Sequence, residues 1–282
     1  MNTSFSAIMT AQKTYAYEEV LKSRLAYFKG DELAATTRIN KYALKNKSGL
    51  YEELTPKDMH KRMARQFARI EQYYDNNRDA SKLKQLSDYG QRRKPLDENS
   101  ILELFDQFRY VIPQGSVMSA LGNPYMIASL SNCVVLPEIY DSYGGIFYAD
   151  QQLAQLFKRR CGAGLDLSSI RPEGMPVSNA AGTTTGAVSF MERFSNTTRE
   201  VAQHGRRGAL MITMDIAHPD IEKFITIKQD LTKVTGANIS IRLSDEFMKA
   251  VESGADFLLR FPVESQNPVF TKKVKALDLW KT

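Results

Sequence analysis

The groups along this sequence that could do chemistry are few: two cysteines, one pair of arginines between glycines, and three glycine-rich stretches. Cys133 opens an apolar run in Ser131-Asn132-Cys133-Val134-Val135-Leu136, and Cys161 stands beside Gly162 in Cys161-Gly162-Ala163-Gly164. A free thiol in such company is either inert packing or chemistry. Two cysteines and three histidines make neither a disulfide framework nor a Cys/His zinc pattern at the usual short spacings.

Gln203-His204-Gly205-Arg206-Arg207-Gly208 gathers an amide, an imidazole and two guanidinium groups just before an expected strand. Arginine forks suit phosphate or base edges, although a solvated charge pair also accounts for adjacent arginines. Tyr143-Gly144-Gly145, Cys161 to Gly164 and Asn179 to Gly186 would let backbone amides approach phosphate oxygens. None has the spacing of the P-loop or the dinucleotide fingerprint, and loop flexibility or close packing accounts for glycine by itself.

These groups need elements to hold them. Thr55-Pro56-Lys57-Asp58 supplies a cap, a proline at the first helical position and an acid, and Met59, Met63, Phe67, Ile70 and Tyr74 follow at helical spacing. The pattern predicts an amphipathic helix from Pro56 to Tyr74. Residues 76–100 are polar and are expected to hold a short helix, a linker and the domain boundary. Beyond them, strands are expected at Asn132 to Leu136, Gly164 to Leu167, Ala209 to Met214, Asn238 to Leu243 and Asp256 to Phe261. Helices are expected at Gly145 to Arg160, Ala187 to Ala202, His218 to Lys228 and Ser244 to Val251. This alternation predicts an α/β domain with a parallel sheet over 101–282, after a mostly helical domain over 1–100.

The chain has 282 residues, 43% of them hydrophobic and 25% charged, which excludes a disordered chain and allows one large domain or two smaller ones. No apolar run is long enough to span a membrane and the amino terminus lacks a signal-peptide core, so a cytoplasmic protein is expected. The net charge of +6 resides in the first hundred residues. Basic and acidic residues interleave there as on a solvated helical face, which argues against a nucleic-acid-binding module.

Four stretches in order resemble the large, catalytic subunit of ribonucleotide reductase, from roughly Tyr15 to the carboxyl terminus. They are Ser131 to Pro137 followed by Asp141-Ser142; Arg160 to Pro172; Gln203 to Gly208; and His218-Pro219-Asp220-Ile221 ahead of Asn238-Ile239-Ser240-Ile241. The resemblance implies a ten-stranded α/β barrel of two five-stranded parallel halves, of which residues 101–282 would be the first half. It also implies deoxyribonucleotide synthesis by thiyl-radical chemistry, from ribonucleoside diphosphates or triphosphates.

On that resemblance Cys133 matches the first cysteine of the reducing pair. Ser131, Asn132 and Gly162 match substrate contacts, Cys161 falls where a small residue lines the substrate pocket, and Ser116, after Gly115, matches a further contact. Asp141 matches an acid that holds the ribose of a dNTP or ATP effector, with Ser142 and Tyr143 beside it, and Arg171 matches an arginine directed at effector phosphates. Ser178 stands near the position of a second arginine in some relatives. Residues 171–182 would form one specificity loop and 201–210 another, with Gln203 and Arg207 relaying effector identity to the substrate base.

The implied partners are the ribonucleotide, the effector, a carboxyl-terminal half-barrel on another chain, a second copy at the effector site, and thioredoxin or glutaredoxin as reductant. The radical would come from a di-metal small subunit or from adenosylcobalamin, neither held by this segment; no resident metal, no membrane partner and no amino-terminal ATP cone are expected. A half-barrel with unpaired edges is expected to be marginally stable and to associate. The other function class compatible with the residues is a non-catalytic, nucleotide-binding regulatory module.

Overall fold

A computed structural model describes residues 13–201 and 208–282. The chain divides into two compact units, Met1–Leu130 and Ser131–Thr282. The division lies downstream of the boundary expected near residue 100, because the helix after the polar stretch packs back onto the first unit.

That unit is helical: α1 (Tyr17–Tyr27), α2 (Glu32–Tyr42), α3 (Pro56–Asn76), the short α4 (Ala80–Leu83) and α5 (Asp88–Arg92), α6 (Glu98–Phe105) and α7 (Gly115–Ala120). The start of α3 is fixed as its sequence predicts, with the Asp58 carboxylate accepting the backbone N–H groups of Leu54 and Thr55 at 3.1 and 2.9 Å. Met59, Met63 and Ala64 of α3 are buried with Ile101 and Phe105 of α6 and with Met118 and Leu121. Each large apolar side chain so enclosed contributes about 1.5–3 kcal/mol, which is why α6 stays with α3. Ile70 and Tyr74, expected on the same stripe, are exposed. His60 lies fully buried against the Phe108 ring, and burial pushes its pKa down to about 4.

The second unit alternates strands and helices. Strands β1 (Cys133–Val135), β2 (Gly162–Asp166), β3 (Leu210–Asp215) and β4 (Asn238–Arg242) form one parallel sheet in sequence order. Their connections carry α8 (Tyr143–Phe157), α9 (Met191–Glu200) after a 3-10 turn at Ala187–Phe190, and α10 (Ile221–Thr226) with a second 3-10 turn at Ile227–Gln229. These crossovers are long enough for parallel neighbours. Leu153 and Phe157 of α8, Phe194 of α9, Phe224 of α10 and Ile212 and Met214 of β3 are fully buried in one core.

The expected fifth parallel strand is not in this sheet. After α11 (Asp245–Ser253), β5 (Asp256–Phe261) pairs antiparallel with β6 (Phe270–Lys275), and α12 (Ala276–Lys281) follows. The short turn between β5 and β6 permits only an antiparallel hairpin. β6 went unpredicted because lysines at 272, 273 and 275 leave Phe270 and Val274 as its only large apolar residues. A four-stranded parallel sheet with a separate hairpin therefore replaces the five-stranded half expected. Among the described residues, no helix is long and apolar enough to cross a membrane.

Candidate functional site

Cys133 lies at the start of β1, which has a neighbour on one side only. The strand carries exposed, half-buried and exposed residues in turn, and the Cys133 residue is exposed. Its register partner on β2 is Gly162. A Cβ on Gly162 would stand 2.9 Å from the Cys133 sulfur and 3.2 Å from the carbonyl oxygen of Ala209, so the missing side chain is what gives the thiol its place. The Gly162 N–H donates to the Asn132 carbonyl at 2.6 Å. Asn132 is half-buried and Ser131 exposed on the approach to the strand.

Cys161 has the opposite setting. It is fully buried, with its thiol donating to the Gly162 carbonyl at 3.3 Å. Neither cysteine is in a disulfide.

A second constellation forms where β1 leads into α8. Arg171 grips Asp141 twice: Nε donates to Oδ2 at 2.7 Å and the backbone N–H donates to Oδ1 at 3.1 Å, while Nη1 donates to the Pro176 carbonyl at 3.0 Å. Ser142 caps α8 by accepting the Gly145 N–H at 3.1 Å. Gly145 is obligatory there, since a Cβ would lie 2.2 Å from the Tyr140 carbonyl oxygen. Tyr143 stacks on Phe147, one helical turn on, and meets the Phe190 ring edge-on.

Asp141, Ser142, Tyr143 and Arg171 thus share one cavity of about 230 Å³. Its far wall is a small hairpin within 171–186, bridged at Pro176 and Thr183 and closed by Val177 N–H to Gly182 O and Thr184 N–H to Met175 O, both at 3.0 Å. Ser178, Asn179 and Thr184 line the cavity from this hairpin, and Phe190 and Ile146 give it an apolar side. An arginine, a helix amino terminus and an aromatic wall suit an anionic ligand with a flat ring.

The sequence assigned no individual role to Asn179, which falls within the expected 171–182 loop, and none to Thr184, Phe190 or Ile146. Asn179 and Thr184 stood in a flagged glycine-rich stretch, whereas nothing in the local pattern marks Phe190 or Ile146. Ser116 is buried on α7 of the first unit. Gln203 and Arg207 lie outside the described residues. Among the described residues no group of three or more histidine, cysteine, aspartate or glutamate side chains is placed to hold a metal ion.

The ribonucleotide reductase barrel-domain family model matches residues 131–280, beginning where the second unit begins. The vitamin B12-dependent ribonucleoside-diphosphate reductase of Mycobacterium tuberculosis (strain CDC 1551 / Oshkosh) is 38% identical over 125 residues, covering 44% of this chain and 18% of that protein. The enzyme of the same name from Thermoplasma acidophilum is 29% identical over 279 residues, covering 85% and 36%. The ribonucleoside-diphosphate reductase large subunit of Caenorhabditis elegans is 30% identical over 141 residues, covering 48% and 18%. The chain therefore matches 18%, 36% and 18% of the length of these three relatives.

Proposed function

This chain belongs to the ribonucleotide reductase large-subunit family, and on that premise we propose that it is part of an enzyme reducing ribonucleoside diphosphates to deoxyribonucleotides. Cys133 acts as one thiol of the reducing pair, and the Asp141–Arg171 cavity binds a dNTP or ATP effector. The observation that carries the reading is the exposed Cys133, seated on an edge strand against a glycine with no side chain.

In this reading a thiyl radical elsewhere in the enzyme removes the ribose 3′ hydrogen. The 2′ C–O bond then breaks and the oxygen leaves as water. Cys133 and a second cysteine supply two electrons and two protons and end as a disulfide, which thioredoxin or glutaredoxin reopens by exchange. An exposed thiol suits that exchange better than one enclosed as Cys161 is. Ser131, Asn132 and Gly162 contact the substrate.

Vitamin B12 dependence in the names of several relatives favours adenosylcobalamin as the radical source over a di-metal small subunit. The second cysteine and the radical cysteine are assigned to further strands of the barrel, added at the open edges of the sheet. Tyr140, Phe147 and Tyr148, exposed on and just before α8, supply surface for a second copy, and Gln203 and Arg207 relay the bound effector to the substrate base.

The test is Cys133→Ser in the complete reductase, with turnover and dNTP binding measured separately. Loss of turnover with unchanged binding is expected. Unchanged turnover would remove Cys133 from the mechanism and leave a nucleotide-binding module.

A further inference from the structure

Asp220 sits on the turn between β3 and α10, in a motif to which the sequence attaches no role. It is 6% exposed. Its Oδ1 accepts the Glu173 N–H at 3.1 Å, and its Oδ2 accepts that same N–H at 3.2 Å and the Ala187 N–H at 3.0 Å. Glu173 and Ala187 stand at the two stems of the hairpin that walls the cavity, so one carboxylate ties both ends together. Bonds to an ionised acceptor are of the strong class.

His218 adds a third point. Its Nδ1 accepts the Asp220 N–H at 3.0 Å, which leaves the ring proton on Nε2 to donate to the Ile170 carbonyl at 2.9 Å, directly before Arg171. The ring is fully buried, edge-on to Phe261. Gly186 makes room for the clamp: its φ is +84°, and a Cβ there would stand 2.5 Å from Asp220 Oδ2 and 2.7 Å from the Glu173 nitrogen. Lys223 of α10 pairs with the Glu173 side chain at the same stem.

We infer that Asp220 is a positioning residue for the nucleotide cavity: by holding both stems of the 173–187 hairpin it sets where Arg171, Ser178 and Thr184 stand opposite Asp141, and so sets effector affinity and preference without touching the effector. The inference rests on the reading of that cavity as an effector site. Asp220→Asn keeps the shape of the side chain but turns an NH2 group toward one of the two stem amides, donor against donor.

The experiment measures binding of the four dNTPs to the full chain, wild type and Asp220→Asn, alongside thermal melting and Cys133 thiol titration. Expected is a folded variant with an unchanged Cys133 thiol, about tenfold weaker dNTP binding, equivalent to 1.4 kcal/mol, and reduced discrimination among the four. Wild-type affinity and preference in the folded variant would overturn the inference while leaving the effector reading intact. Failure of the wild type to bind any dNTP would overturn both. Should the variant not fold, amide hydrogen exchange on the wild type decides: the Glu173 and Ala187 amides must be slowed further by bound dNTP, and equal exchange with and without nucleotide would overturn the inference.

Discussion

The cavity at Asp141 and the thiol at Cys133 belong to one unit and are joined by the short segment that follows β1, yet they are built in opposite ways. The cavity is walled by side chains and backbone from residues 141–190, tied by the Arg171–Asp141 pair and pinned from below by Asp220. The thiol stands on an edge strand, located by a missing side chain rather than by a set of bonds. Recognition of a nucleotide needs fixed walls, whereas a thiol that is oxidised and reduced again needs access. The two sites should therefore fail independently.

The largest effect on that independence is expected from Gly162→Ala. Its Cβ displaces the Cys133 sulfur, and a displacement of the order of 1 Å lowers turnover by about a hundredfold, while dNTP affinity stays at the wild-type value. Parallel loss of both in a folded variant would show that the sites share one support. Gly145→Ala is the mirror experiment: overpacking against the Tyr140 carbonyl destabilises the unit by about 1–3 kcal/mol and abolishes dNTP binding, with Cys133 still titrating as an accessible thiol. A variant that binds dNTP normally would remove the α8 amino terminus from the cavity's function.

The smallest expected effect is that of pH. Burial lowers the pKa of His218, opposed by its bond to Ile170 and by Asp220, Asp166 and Asp215 nearby. A histidine held neutral in the fold contributes fully above its unfolded value of about 6.5, and that contribution is lost as pH falls, because the unfolded chain takes up the proton first. Protonated His218 also cannot accept the Asp220 N–H, so dNTP affinity should hold down to about pH 6.5 and fall severalfold as pH drops below it. His60 in the first unit carries the same sign, over a window from about 6.5 down to about 4, worth on the order of 3 kcal/mol of stability. Binding separates the two histidines, since His60 supports no part of the cavity. Flat dNTP affinity across this range would detach His218 from the hairpin.

Much of this architecture was legible in advance where local chemistry decides it. Pro56 and Asp58 announce the start of α3, and the β-type runs at 133, 164, 210 and 238 become the parallel sheet within a few residues. The misses follow from contacts distant in sequence. The unit boundary moved because Ile101 and Phe105 pack on Met59 and Met63, which no polar linker pattern reveals. β5 was recognised as a strand but not its partner, since pairing depends on a lysine-rich β6. The spacing of Asp141 and Arg171 gave no hint that they meet; the resemblance to a family assigned both to an effector site without pairing them. The apolar neighbours of Cys133 left packing and chemistry both open, and only the strand order shows that, among the described residues, β1 has one side unpaired. The clamp was invisible for the same reason, as Asp220 lies far along the chain from the amides it holds.

One consequence of the β1 register extends beyond either site. Cys133 lies opposite Gly162, and Leu136 donates its N–H to the Gly164 carbonyl at 2.8 Å, just before the segment that ends at Asp141. Side chains on a strand alternate between faces, so a slip of β1 by one residue would turn the thiol to the other side of the sheet and move the anchor of Asp141 by a residue length, about 3.3 Å. Three residues of edge strand therefore act as a shared gauge: the alignment that aims the sulfur also sets how far the acid reaches into the cavity.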